Sequence, residues 1–163
     1  MDVYNAGVDT YDLLLAQWWA NLRESGDMET TFFKSAHSLS GFLSFFAPPR
    51  ILFLDHEEGV VVRAVWLDPI EDGAFLGLWL HPRFRGRLTL KENLGFVVAV
   101  HNAAFKRYRV LMALTSTQKV IDNALKLGYT YLGAVPFING DNSTTHVMYV
   151  TPATFIDPIG DLP

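Results

Sequence analysis

The 163-residue chain is half hydrophobic, 18% charged and acidic by four charges, which suits one globular domain with a sizeable core and argues against disorder. It contains no cysteine, so disulfides, thiolate metal sites and a cysteine nucleophile are excluded. No apolar run approaches the ~18 residues of a membrane span, and Met1-Asp2-Val3-Tyr4 lacks the basic-then-apolar start of a secretory signal, so a cytoplasmic protein is expected.

Asp9 or Thr10 can cap a helix over 11–23, with Tyr11, Leu14, Leu15, Trp18 and Leu22 on one face. Gly26 ends it. Leu13 and Trp19 fall off that face, either as surface residues or as contacts to a neighbouring chain. A second helix is expected over 30–46, stopping at Pro48-Pro49. Its apolar residues (Phe32, Phe33, Ala36, Leu39, Phe42, Leu43 and Phe46) cover a wide arc. Residues 50–56 and 60–67 read as strands around Glu57-Glu58-Gly59. Asp68-Pro69 and Gly73 mark another turn, followed by a strand over 74–80. A long helix over 90–107, a strand over 110–114 and a helix over 117–127 closed by Gly128 come next. Strands over 130–135 and 145–150 flank the Asn139-Gly140-Asp141-Asn142 turn. The tail after Pro152 is irregular, with Phe155 and Ile159 available to dock.

This order predicts one α/β domain over 1–163, with a helical part (1–49), a sheet-and-helix core (50–151) and an irregular tail (152–163). The sheet should be mixed, mostly antiparallel and twisted, with helices on both faces. The strand at 110–114 follows a crossover helix and should lie parallel to the one at 74–80.

Charge is unevenly distributed. Residues 1–82 carry a balance of −8, residues 83–126 one of +7, and residues 127–163 one of −3. The basic middle suits a phosphate-bearing ligand, nucleic acid or an acidic partner, and equally suits solvated helix faces. The overall acidity disfavours nucleic acid. Asp55-His56-Glu57-Glu58 reads as a polar hairpin turn rather than a metal cluster. His101 shares a helical face with Leu94, Val97, Val98 and Phe105 and reads as a core histidine. Ser38, Ser40 and Ser44 have no convincing histidine and aspartate partners.

Two local patterns carry a resemblance. His81-Pro82-Arg83-Phe84-Arg85-Gly86 is similar to the His-Pro-x-x-Arg-Gly that ends the fourth strand in the GNAT superfamily of N-acetyltransferases. Asn123-Ala124-Leu125-Lys126-Leu127-Gly128-Tyr129 resembles that family's helix-ending Lys-Leu-Gly-Phe. With the element order, the resemblance covers 50–150 and implies the GNAT fold. It also implies a cofactor, acetyl-CoA, held by a loop at Arg83, Arg85, Gly86, Arg87, Leu88, Thr89 and Leu90.

The family loop reads Arg-Gly-x-Gly-x-Gly or Ala, so that bare backbone and a helix N-terminus meet the pyrophosphate. Here Leu88 and Leu90 replace the later small residues. Thr89 and Glu92 also fit a capping box, which would consume helix-start donors. The three arginines favour phosphate. The family's general-acid tyrosine corresponds to Ala124, and its asparagine near the start of that helix to Thr117. Residues 74–80 offer no ionisable side chain, which leaves Glu57, Glu58, Glu71 or Asp72 in turns as bases. His81 and Tyr129 remain as catalytic candidates, the histidine as base and the tyrosine as proton donor.

Two functions follow. One is a non-catalytic assembly or structural component that needs no cofactor and works through protein partners or further copies of itself. Short GNAT-like proteins encoded among the virion-morphogenesis genes of tailed bacteriophages look similar, and they imply a virion-associated location. The other is an acetyl-CoA-dependent N-acyltransferase acting on an amine. No metal site and no membrane contact are expected in either case.

Overall fold

A computed structural model describes residues 2–4, 9–32, 34–82, 90–136 and 144–159. The elements are β1 (Asp2–Tyr4), α1 (Asp9–Ser25), α2 (Met28–Thr31), a 3-10 turn (Lys34–Ala36), α3 (Leu39–Phe45), β2 (Ile51–Glu57), β3 (Val60–Ile70), β4 (Gly73–Leu80), α4 (Leu90–Ala104), β5 (Val110–Thr115), α5 (Gln118–Lys126), β6 (Thr130–Pro136) and β7 (Thr144–Val150). Sheet neighbours run β1-β2-β3-β4-β5-β7-β6. The β1/β2, β2/β3, β5/β7 and β6/β7 pairs are antiparallel. β4 and β5 are parallel as expected, from Gly73 opposite Val110 to Leu76 opposite Ala113. The result is a mixed, mostly antiparallel α/β fold.

The chain forms two compact units, Met1–Asp68 with Leu78–Leu88, and Pro69–Gly77 with Thr89–Pro163.

The first unit is built around Trp18. Leu15, Trp18 and Leu22 follow helical spacing along α1 and are buried. The Trp18 ring meets Phe42 at 5.2 Å, Phe46 at 5.4 Å, Trp79 at 5.4 Å and Phe32 at 5.9 Å. Such aromatic pairs contribute about 0.5–1.5 kcal/mol each beyond area burial. Trp19, off the buried face, donates its indole N–H to the His37 carbonyl at 3.2 Å and lies under the Arg23 guanidinium at 5.1 Å. Leu13 stays exposed.

The single helix expected over 30–46 is instead three short pieces. Phe32 leaves the helix with extended backbone, and Ser38 starts α3 afresh by accepting the Gly41 N–H at 3.1 Å. The physical reason lies in the aromatic pattern. A continuous helix would string Phe32, Ala36, Phe42 and Phe46 along about 21 Å of one face, whereas the broken path buries all four and gathers Phe32, Phe42 and Phe46 around the Trp18 ring. Gly41 is required at this crossing, because a Cβ there would overlap the Ser35 carbonyl oxygen.

The β2–β3 hairpin turns through Glu58 (φ 51°) and Gly59 (φ 81°), two left-handed residues that match the twist of the flanking strands. β3 does not stop at Asp68-Pro69 but continues to Ile70. Its pairing with β2 ends at Leu67 opposite Ile51, so the missing N–H of Pro69 falls beyond that ladder. Arg50 braces the strand start, donating to Asp68 Oδ2 at 2.8 Å and to the Phe45 carbonyl at 2.6 Å.

In the second unit, α4 ends at Ala104, short of the expected 107. The amides of Arg107 and Tyr108 both close back on the Ala104 carbonyl at 2.9 Å. Phe96, Val98, Val100, His101 and Ala104 of α4 are buried, as are Ile121 and Ala124 of α5. Gly128 (φ 84°) ends α5 as expected. The tail docks: Phe155 stacks on His101 with centroids 4.7 Å apart and planes at 6°, and the Ile156 N–H donates to the Leu127 carbonyl at 3.1 Å. Thr154 passes so close to Gly128 that a Cβ there would overlap its carbonyl oxygen. No helix among the described residues is long and apolar enough to cross a membrane.

Candidate functional site

In the first unit the functional candidates sit at the end of β4. Trp79 faces the aromatic core and donates its indole N–H to Asp27 Oδ2 at 3.0 Å. Both residues are buried, so Asp27 is held as a structural acceptor. The pair is 52 residues apart; the only sequence signal is that a tryptophan in a buried strand needs an acceptor. Two residues on, the His81 amide donates to the Val62 carbonyl at 2.9 Å, extending strand geometry past Leu80. The half-buried His81 ring stands edge-on to Trp79 at 5.7 Å. Pro82 is exposed.

The loop positions Arg83, Arg85, Gly86, Arg87, Leu88 and Thr89 lie outside the described residues, and with them the Thr89 half of the expected capping box. α4 begins at Leu90, with Glu92 exposed in its first turn. The expectation of a cofactor at this loop therefore rests on the residue types alone: three arginines that suit a diphosphate, with two leucines where the GNAT loop has small residues.

In the second unit, Ala124 lies buried on α5, and Thr117 caps that helix through its backbone, its carbonyl accepting the Val120 and Ile121 amides. Tyr129 is buried just after Gly128. Its hydroxyl lies 2.7 Å from His101 Nε2, and His101 Nδ1 lies 2.7 Å from the Val97 carbonyl. A carbonyl only accepts, so Nδ1 carries a proton, and in the neutral ring Nε2 then accepts from the tyrosine. Burial pushes the His101 pKa down, opposed by the bond to Val97, and burial pushes the Tyr129 hydroxyl well above its ordinary value. The expected core histidine is thus in place. Its tyrosine partner, 28 residues away, carries no local sequence signal.

The remaining clusters have structural partners. Asp55 pairs with Arg63 at 3.1 Å, and no group of three or more histidine or acidic residues among the described residues could hold a metal ion. Ser38 caps α3. Tyr131 and His146, on adjacent strands, share a hydrogen bond of 2.9 Å at the surface.

The strand order, the parallel β4/β5 pair and the helices that follow each of them define the fold of the GNAT acetyltransferases. The chain is similar to aminoglycoside 6'-acetyltransferase type Ii (TM-score 0.69, 18% identity, 93% of this chain and 97% of that one). It is similar to a ribosomal-protein-alanine N-acetyltransferase from Brucella melitensis (TM-score 0.68, 13% identity, 93% and 99%). A third likeness is to an aminoglycoside 6'-N-acetyltransferase complexed with coenzyme A (TM-score 0.62, 15% identity, 93% and 97%). No protein-family model and no curated protein sequence matches the chain.

Proposed function

We propose that this chain is a non-catalytic member of the acetyltransferase fold, a structural or assembly component that acts through protein contacts, like the GNAT-like proteins encoded beside bacteriophage virion genes. The observation that carries the proposal is Ala124. Where the resemblance implies a tyrosine to protonate the departing CoA thiolate, α5 has a buried methyl group. Tyr129, five residues later, has its hydroxyl on His101 in the core. A transferase needs a proton donor within hydrogen-bond reach of the leaving group, so these two positions support a role without acyl transfer. The leucines at 88 and 90 add bulk where the family's backbone meets the pyrophosphate.

The alternative is an acetyl-CoA-dependent N-acyltransferase. It is favoured by the likeness to acetyltransferases over more than nine-tenths of the chain, one of them solved with coenzyme A. Calorimetric titration with acetyl-CoA separates the two. The structural reading expects no binding at millimolar ligand; a micromolar dissociation constant would overturn it.

A further inference from the structure

We infer that the C-terminal segment 151–159 is a strap gated by the charge on His101: the neutral ring holds the strap down, and the imidazolium releases it. Among the described residues, the strap is held by a turn, a ring stack and backbone contacts. Thr151 and Thr154 form its turn, with the Phe155 amide on the Thr151 carbonyl at 2.9 Å. Phe155 lies flat on the His101 ring and touches Phe105 edge-on at 5.6 Å. Ile156 donates to the Leu127 carbonyl, and Ile159 lies beside Gly95 of α4. Most residues of the strap are exposed. A mostly exposed segment outside the helices and strands opens locally at lower cost than they do.

Among the described residues, His101 is the ring in contact with the strap whose side chain ordinarily titrates near neutrality. Both of its nitrogens are used in the neutral form, Nδ1 donating to Val97 and Nε2 accepting from Tyr129. A second proton on Nε2 would face the tyrosine hydroxyl, whose own hydrogen would then have to turn into a buried surround. Among the described residues, the groups in contact with the ring are uncharged: Val97 and Phe105 from α4, Tyr129 ahead of β6, and Phe155 from the strap. The charged side chains nearest in sequence on these elements, Lys106, Lys126 and Asp157, are exposed, and Asp157 accepts the Ile159 amide at 2.9 Å. Burial denies an imidazolium here its hydration, and restoring it requires one of the covering surfaces to open. Of the surfaces covering the ring, the Phe155 face can lift without breaking a helix or a strand ladder. Docking and protonation therefore oppose one another, and burial already holds His101 below its ordinary pKa.

Hydrogen exchange on the full chain, followed by NMR from pH 8 to pH 5 and corrected for intrinsic rates, tests the gate. The Ile156 amide should lose protection by up to about tenfold per pH unit below about 6.5, while β7 amides stay protected. The pH dependence should disappear when His101→Phe is combined with Tyr129→Phe, which keeps the ring stack and leaves no unpaired hydroxyl. Joint loss of strap and β7 protection, or pH dependence that survives in the double variant, would overturn the inference. A second measurement does not depend on that variant folding. In Phe155→Ala, the His101 ring resonances should titrate at higher pH than in the parent; an unchanged midpoint would equally overturn it.

Discussion

Gly26 and Gly128 make a matched pair for measuring how much tail docking contributes. Both lie in the left-handed region, at φ 74° and 84°, just past the ends of α1 and α5. A Cβ on Gly26 would meet nothing within 4 Å, whereas one on Gly128 would overlap the Thr154 carbonyl and crowd the Ile156 amide. Gly26→Ala therefore carries only the cost of placing an L side chain in this region, about 1–2 kcal/mol. Gly128→Ala carries the same cost and also displaces the tail. Losing the Ile156 to Leu127 hydrogen bond costs about 0.5–1.5 kcal/mol. Re-exposing the Phe155 ring adds part of the ~1.5–3 kcal/mol that full burial of such a side chain is worth. The expected destabilisation is about 3 kcal/mol for Gly128→Ala against about 1–2 for Gly26→Ala, read from urea unfolding of both variants. Values agreeing within about 0.5 kcal/mol would mean that the docked tail adds nothing to stability.

Further outcomes follow from the same structure. Asp27→Ala leaves the buried Trp79 indole without its acceptor and should cost about 1–3 kcal/mol, whereas Asp27→Asn keeps an amide oxygen there and should cost at least about 1 kcal/mol less by urea unfolding. Because His101 is held below its ordinary pKa, the unfolded chain binds that proton more readily; stability from this site is complete above about pH 6.5 and lost as pH falls toward the lowered folded value. Thermal midpoints measured from pH 8 to pH 5 should fall less steeply for His101→Phe with Tyr129→Phe than for the parent. Leu88→Gly with Leu90→Gly should gain measurable CoA affinity by calorimetry if the two leucines are what obstructs the loop; no gain would place the obstruction elsewhere.

The parts of the fold governed by local rules were legible in the sequence. Gly128 ends α5 because a left-handed residue is needed there, and β4 lies parallel to β5 because a crossover helix joins them. The region between α1 and β2 was not legible. Its aromatic spacing reads as one helix, yet tertiary packing around Trp18 rewards the broken path, and the decisive residue is the small polar cap Ser38. The candidate site divides in the same way. His81 closing β4 could be read from its motif, and His101 as a core histidine from its helical period. The contacts that define their surroundings, Asp27 with Trp79 and His101 with Tyr129, join residues 52 and 28 positions apart, beyond the reach of any local pattern.

Tyr129 is where the two functional readings meet. It lies five residues after Ala124, beyond the end of α5 and past a left-handed glycine, so helical geometry does not carry its side chain to the face that Ala124 occupies. Its hydroxyl instead satisfies a buried imidazole nitrogen, and a buried tyrosine with a raised pKa is a poor proton donor. If that hydroxyl serves only the core, Tyr129→Phe should cost about 1–3 kcal/mol, from the unpaired Nε2 it leaves behind, without changing the response to acetyl-CoA. Unfolding by urea gives the first quantity. Calorimetry, together with a thiol-release assay against a panel of amines, gives the second. A folded Tyr129→Phe protein that lost a transfer activity present in the parent would return the tyrosine to catalysis and with it the enzyme reading. A variant that is less stable and otherwise unchanged would leave the second unit as a scaffold in which the His101–Tyr129 pair serves the core.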